Sequence, residues 1–390
     1  MSHQSHPEDF ALTPAKVLFR PSAPRYQDEN RLWQGIPSMA KAPGGTLYNL
    51  FYSGMRGEEA GNYVVVARSD DDGQSWRCPE MVIDHPDFRM RCFDPCVWKD
   101  PLGRIWITWT QSHGFFDGRD GVWAIVSENP DDADPVWSPP RRIANGLMMN
   151  KPTVLRDGSW LFPCAVWKYC QPAGVVEHPV VMEQERFSNV YASTDNGESF
   201  VLRGGADVPD RCFDEHMTVE RKDGRLWMLV RTLNTGWEQA DQPKNAPPRR
   251  VSNGIGQSFS DDGGFTWSPG EPAELSGPCS RFFITRLRSG NLLLVNHYDY
   301  TGRNNLAARI SRDDGRSWEG LFLIDGRDNV SYPDGFQDDS GLIYVTYDHD
   351  RYGDRAILMA AFTEEDILAG RAVSGRVRRF VLVSRATGKE

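Results

Sequence analysis

Ser69-Asp70-Asp71-Asp72-Gly73-Gln74-Ser75-Trp76 decides the architecture, because its spacing returns three more times. The pattern Ser-x-Asp-x-Gly-x-(Ser/Thr)-aromatic recurs as Ser193, Asp195, Gly197, Ser199, Phe200, and as Ser260, Asp262, Gly264, Thr266, Trp267. It recurs again as Ser311, Asp313, Gly315, Ser317, Trp318, and a decayed copy runs from Ser127 through Asn129 to Trp137. Short Ser and Asp side chains bond nearby backbone N–H groups and fold a tight turn. Gly supplies a conformation that other residues resist. Each full copy follows an alternating apolar run, such as Tyr63–Ala67 or Leu306–Ile310, so each marks a hairpin. The copies stand roughly 50 to 70 residues apart, long enough for four strands per repeat.

A second series fills the gaps. Gly-containing turns at Ala42–Thr46, Asp100–Gly103, Arg156–Gly158, Lys222–Gly224, Arg288–Gly290 and Asp338–Gly341 each separate two strand-like runs. Six such hairpins, each followed by a second strand pair, predict an all-β, six-bladed propeller of four-stranded antiparallel blades. Radial closure leaves only short, protected edges. The expected division is an N-terminal tail over residues 1–15 and one propeller over residues 16–390. Lys16–Arg20 is expected to complete the last blade and tie the ends together. Thr363–Leu368 reads as a short helix, with Thr363 at its N-cap and Glu364 and Glu365 in its first turn.

Composition agrees. Of 390 residues, 39% are hydrophobic and 25% charged, the balance of a globular chain. Gly (36) and Pro (26) beside 13 Trp favour many short strands over long helices. The net charge of −10, with no Lys/Arg block, argues against a nucleic-acid partner. No apolar run is long enough to span a bilayer as a helix, so no membrane partner is expected. Met1–Phe10 lacks the apolar segment of a secretory signal. The expected location is therefore the cytoplasm, or the periplasm or exterior if a signal has been removed. The seven cysteines are expected to be reduced, buried thiols. Cys92 and Cys96 find no second Cys/His pair, so neither metal nor cofactor is expected.

The repeat resembles the Asp box (BNR repeat) of the sialidase, or neuraminidase, superfamily, over roughly Ile36–Ala369. That resemblance implies the same propeller and a glycosidase site. Sialidases carry a catalytic Glu at an inner-strand start, and Asp214-Glu215-His216, followed by Asp223-Gly224-Arg225-Leu226, is similar, with His216 where Pro is usual. The resemblance makes Arg231 and Arg303 carboxylate-binding arginines and Tyr332, in Ser331-Tyr332-Pro333, the nucleophile. The first arginine of the superfamily falls on Gly35, in Gln34-Gly35-Ile36-Pro37. No clear counterpart of the acid/base Asp precedes the first box, where Arg56-Gly57-Glu58-Glu59 stands.

The chemistry of the residues points the same way. A phenol titrates near pH 10, so Tyr332 needs a carboxylate such as Glu215 within reach to attack at neutral pH. A neutral nucleophile also avoids repelling an anionic sugar. Guanidinium forks fit carboxylates bidentately. Asp94, enclosed at an inner-strand start, is the expected proton donor. His216, Arg56, Arg281 and His297 are further expected substrate contacts, and Trp33, Trp98, Trp167 and Trp237 are candidates to stack on sugar rings. The expected activity is exo-acting hydrolysis of a terminal acidic sugar from an oligosaccharide or glycoconjugate. A lyase acting on a uronic-acid glycan and a non-catalytic glycan-binding propeller are the alternatives. With Gly35 in place of an arginine, ordinary sialosides are expected to be poor substrates. Oligomeric state is left open.

Overall fold

The computed structural model describes residues 7–168, 170–171, 175–234 and 253–389. Six antiparallel sheets follow one another along the chain and form the six expected blades. Their inner strands are Trp33–Lys41, Met90–Lys99, Thr153–Val154, Met217–Glu220, Phe283–Arg286 and Val330–Gln337, taken as blades one to six. Apolar side chains from facing sheets fill the spaces between blades, as where Trp98 meets Trp160 edge-on at 5.0 Å.

The repeated motif is a closed hydrogen-bonded turn between the third and fourth strands. Ser69 Oγ donates to Asp71 Oδ1 (2.7 Å), and the Gly73 N–H donates to Ser69 Oγ (2.8 Å). The Ser75 N–H donates to Asp71 Oδ1 at 2.9 Å. The other three copies reproduce this set around Asp195, Asp262 and Asp313. The hydroxyl and amide bonds hold all four carboxyls down to about 2. The decayed copy keeps part of the turn: Ser127 Oγ donates to Asn129 Oδ1, which also accepts from the Val136 N–H at 3.0 Å. Blade six has a helix at this place instead, Glu364–Ala369. Thr363 and Asp366 form a reciprocal capping box, and Gly370 ends it in a left-handed conformation.

Closure differs from expectation. Lys16–Phe19 does not complete the last blade. It pairs with Arg77–Asp84 and makes blade one five-stranded. Blade six is finished by its own Arg378–Arg385, whose Val381 and Val383 pack against the first-blade core. The ring is joined instead by a clasp between segments. Thr387 and Gly388 N–H groups donate to the carbonyls of Asp28 (2.8 Å) and Arg31 (3.0 Å), and Arg31 Nη2 donates to Ser384 Oγ at 2.9 Å. Residues 7–15 are packed against blade two. The Gln111 side chain donates to the Ala11 and Thr13 carbonyls and accepts from the Ala15 N–H.

Inner strands run from one face of the ring to the other, and the boxes lie at their far ends, where Lys41 Nζ meets Asp72 at 3.1 Å. Near the opposite mouth the inner strands bulge at one level. Ladder register shifts between Gly35 and Ser38, Phe93 and Cys96, and Ser331 and Asp334. The residue at each bulge, Ile36, Asp94 and Tyr332, has positive φ (59°, 47° and 54°) and is followed by proline. Glu215 holds the equivalent place in blade four at φ 30°. Bulges re-aim side chains, and strained backbone of this kind gathers at sites.

Candidate active site

Glu215 and Tyr332 come from blades four and six and meet across the channel. Tyr332 Oη donates to Glu215 Oε1 at 3.1 Å. Arg231, on the second strand of blade four (Leu226–Asn234), lies against both, with Nη1 2.9 Å from Tyr332 Oη and in a closer ion pair with Glu215 Oε1. All three are at least 95% buried. Burial pushes the Tyr332 phenol up to about 12, against the lowering effect of Arg231. The second carboxylate oxygen of Glu215 has no hydrogen-bond partner among the described residues. A buried acceptor left open in this way has room for a water or a ligand hydroxyl.

Three further guanidiniums surround the Tyr332 ring. The Arg351, Arg303 and Arg281 carbons lie 5.0, 5.2 and 5.5 Å from its centroid. Their roles separate. Arg281 is fully buried and spends its donors on the carbonyls of Met149, Pro37 and Tyr332. It is a tie beneath the tyrosine, not the substrate contact expected from sequence. Arg303 is half-buried, donates to the Cys279 carbonyl at 3.3 Å and forms no ion pair with a described residue. Arg351 pairs with Glu58 at 2.8 Å and lies 3.8 Å from Asp348.

Gly35 explains the position of Arg351. A Cβ at residue 35 would stand 2.3 Å from Arg351 Cδ and 3.2 Å from Asp348 Oδ2. The space that a side chain at 35 would take is occupied by an arginine from blade six. Three arginines, 231, 303 and 351, therefore ring Tyr332, where the sequence reading counted two.

Asp94 is 3% exposed, and its carboxyl makes no hydrogen bond to a described residue. Burial first, then the nearby Glu58 charge, pushes it up to about 8, against the opposing pull of Arg91. It is mostly protonated at neutral pH. The remaining expected contacts lie elsewhere. Arg56 is exposed on the loop after Leu47–Gly54. His216 turns toward blade three, bonding the Asn189 carbonyl at 2.6 Å, and His297 bonds the Asn304 carbonyl at 2.7 Å. Burial drops both rings to about 4, so both are neutral. One nitrogen of each ring bonds a backbone carbonyl, which spacing alone does not reveal, and His297 Nε2 is buried without a partner among the described residues.

Of the tryptophans, Trp98 is interblade packing and Trp33 lies against Tyr52 and Arg351. Trp167 is on the rim. Its Nε1 donates to the Phe213 carbonyl and its ring meets Phe213 at 5.0 Å. Trp237 falls outside the described residues. Sequence reasoning missed Phe213, which is 47% exposed and stacks on Arg231 at 5.3 Å. It also missed Cys279, whose Sγ accepts from Arg231 Nη2 at 3.5 Å. The cysteines are not uniformly buried: Cys92, Cys96 and Cys164 are, whereas Cys170 is exposed and Cys78, Cys212 and Cys279 are intermediate. Among the described residues no cluster of three or more His, Cys, Asp or Glu could hold a metal.

Solved structures with this fold include the Hadza microbial sialidase Hz136, at 19% identity and TM-score 0.62, covering 86% of this chain. The chain spans 66% of that sialidase's length. The leech intramolecular trans-sialidase superposes with TM-score 0.64 at 13% identity, over 92% of this chain and 71% of its own. An α-L-arabinofuranosidase from Fusarium graminearum does so with TM-score 0.54 at 10% identity, over 91% and 98%. At such identities the likeness is one of fold. No curated protein gives a significant match. Residues 45–345, which hold all four boxes and blades two to five entire, match the BNR repeat-like domain, and the chain belongs to that family.

Proposed function

We propose that the protein is an exo-acting glycosidase that removes a terminal acidic sugar, with Tyr332 as nucleophile and Glu215 as its base. The observation that carries this reading is the 3.1 Å bond from Tyr332 Oη to Glu215 Oε1 inside a ring of arginines. Tyr332 Oη attacks the anomeric carbon while Glu215 takes the phenolic proton, which a phenol held near 12 does not release unaided at neutral pH. Protonated Asp94 gives its proton to the departing oxygen. Water then attacks the glycosyl–tyrosine bond, Asp94 recovers a proton, and Glu215 returns one to the phenolate. Arg231, Arg303 and Arg351 take the sugar carboxylate through charge-assisted bonds. Trp167 and Phe213 supply an aromatic rim for a ring face.

With Arg351 in place, an ordinary sialoside is within the scope of the site, which revises the expectation drawn from Gly35. The lyase reading loses His216 as its base, because that ring bonds the Asn189 carbonyl, and keeps Tyr332. The test is turnover on aryl glycosides of sialic and uronic acids, beside neutral controls. Release of the aryl group, lost in Tyr332→Phe, supports the proposal. An ultraviolet-absorbing unsaturated product would assign a lyase. Binding without turnover would assign a glycan-binding propeller.

A further inference from the structure

A cavity of about 690 Å³ lies along the seam between blades four and five, within the roughly 300–1,000 Å³ of small-ligand sites. Glu215, Arg303 and Tyr332 do not line it. Trp227, Gln257 and Phe259 of blade four form one wall, and Tyr298, Arg309 and Trp318 of blade five form the other. Gly315 lets the walls close up. It stands at φ 88°, and a Cβ there would come 2.3 Å from the Trp227 ring.

The seam holds two guanidiniums on aromatic platforms. Arg221 lies over the Trp227 and Phe259 rings, 5.0 and 5.2 Å from their centroids, and those rings are parallel within 7°. Arg309 lies over Tyr298 and Trp318 at 5.4 and 5.9 Å. Both arginines are half-buried, and neither side chain forms an ion pair or a hydrogen bond with a described residue. Arg221 Nε is buried and unpartnered. A ring against the face of a guanidinium fixes its plane and leaves its N–H edge for an acceptor. Arg316, on the box turn, adds a third cation with no ion pair among the described residues. Glu274 and Asp299 complete the charged lining, and no ion pair joins them to the arginines.

These separated charges select a ligand. The arginines call for an anionic acceptor. The two carboxylates call for hydroxyl donors, and they repel a dianion such as phosphate. A hydroxylated ring with one carboxylate answers both, and Tyr298 and Trp318 offer aromatic surface to its C–H groups.

We infer that the seam between blades four and five is a second, non-catalytic binding site for an acidic sugar, with Arg221, Arg309 and Arg316 taking its carboxylate and Glu274 and Asp299 its hydroxyls. The inference goes beyond the glycosidase reading and does not depend on turnover. It holds whether the channel hydrolyses a glycan or only binds one. Two sites on one molecule raise the effective concentration of a glycan with several acidic sugars.

The experiment is hydrogen exchange of the full-length wild-type protein, read by mass spectrometry, during titration with free glucuronic acid and with free N-acetylneuraminic acid. Neither has a glycosidic bond to cleave, so turnover does not intrude. Protection by at least one of them is expected in peptides carrying residues 274–276, 298–300 and 316–318. Arg309→Gln should weaken it about tenfold or more, as for one lost charge-assisted contact. Arg316→Ala, at an exposed position that the fold does not need, should act in the same direction. Protection confined to residues 213–217 and 331–333 supports the channel site and overturns the seam. Protection at the seam alone supports the seam and leaves the glycosidase reading to its own turnover test. Seam protection that neither variant weakens, or that glucose or citrate equals at the same concentration, overturns the inference. So does the absence of seam protection by either acid.

Discussion

The two mouths of the channel are built from the same strands and treat polar groups in opposite ways. At the Asp-box mouth each carboxylate closes on its own turn, and Lys41 is shared among Asp72, Asp338 and Tyr344. A cavity of about 390 Å³ opens there, lined by Lys41, Lys151, Trp98 and Phe336, but its charged groups are already paired. At the other mouth the recess beside Glu215 is only about 10 Å³, yet Glu215 Oε2 and Arg231 Nε are buried without partners among the described residues, beside the buried Asp94. A larger cavity, about 690 Å³, lies beside Trp227, His297 and Trp318, so volume alone does not single out the recess beside Glu215. At Glu215 the open acceptor belongs to a carboxylate already bonded to Tyr332 and Arg231, a place where a ligand donor would complete the set.

Substitutions at the two mouths should accordingly split activity from stability. The largest expected effect is at the open mouth. Tyr332→Phe should lower kcat/KM on the responsive acidic glycoside by roughly a thousandfold or more, with Tm little changed, because only a hydroxyl is lost. Arg351→Ala should cost about 10- to 100-fold, mostly in KM, as expected for one charge-assisted carboxylate contact. Gly35→Ala should act in the same direction, since its methyl would displace Arg351. A steady-state series on one substrate checks all three.

The reverse pattern is expected at the box mouth. Gly197→Ala puts a methyl 2.6 Å from the Trp106 ring at φ 86°. It should lower stability by about 1–3 kcal/mol in denaturant titration, with kcat/KM unchanged. A Gly197→Ala protein with intact stability but lost turnover would dissolve the contrast between the mouths.

The smallest effect is a pH slope. Asp94 is held up at about 8, above its unfolded value near 4. Between those values the folded state binds the extra proton, so stability declines as pH rises through this window. Asp94→Asn should flatten that decline in Tm measured from pH 5 to 8. Below pH 4 wild type and variant should converge in slope. Activity, if Asp94 is the acid, should fall above pH 8 in wild type.

The ring is legible in the sequence because a box is a local device: Ser, Asp, Gly and a second Ser or Thr within seven residues make its bonds. Glu215, Arg231, Arg303 and Tyr332 were legible through resemblance, and the structure brings all four together. The sequence offers Arg351 as a stand-in for the missing arginine no more strongly than Arg56 or Arg281, because what selects it is an absent side chain at residue 35, more than 300 residues away in the chain. His216 and His297 looked available because spacing does not show that a carbonyl already holds each ring. One local signal was readable and went unused: an X-Pro step on an inner strand, as at Asp94-Pro95 and Tyr332-Pro333, marks the bulge that aims a residue into the channel. Lys16–Phe19 was placed on the wrong blade because strand pairing between distant segments has no mark in either one.

That clasp, joining residues 28–31 to 387–388, bears on how the chain is made. Each sheet consists of consecutive strands, apart from the short Lys16–Phe19 addition, which pairs within the same early stretch. A sheet can thus assemble as soon as its own stretch has left the ribosome, without waiting for a distant partner. Synthesis then yields an arc of finished modules that lengthens one blade at a time. The seam between first and last blades, and the Tyr332–Glu215 meeting across the channel, depend on the final quarter of the chain. The Tyr332–Glu215 pair is consequently among the last contacts the nascent protein acquires, and a product truncated before Tyr332 would carry folded blades without it.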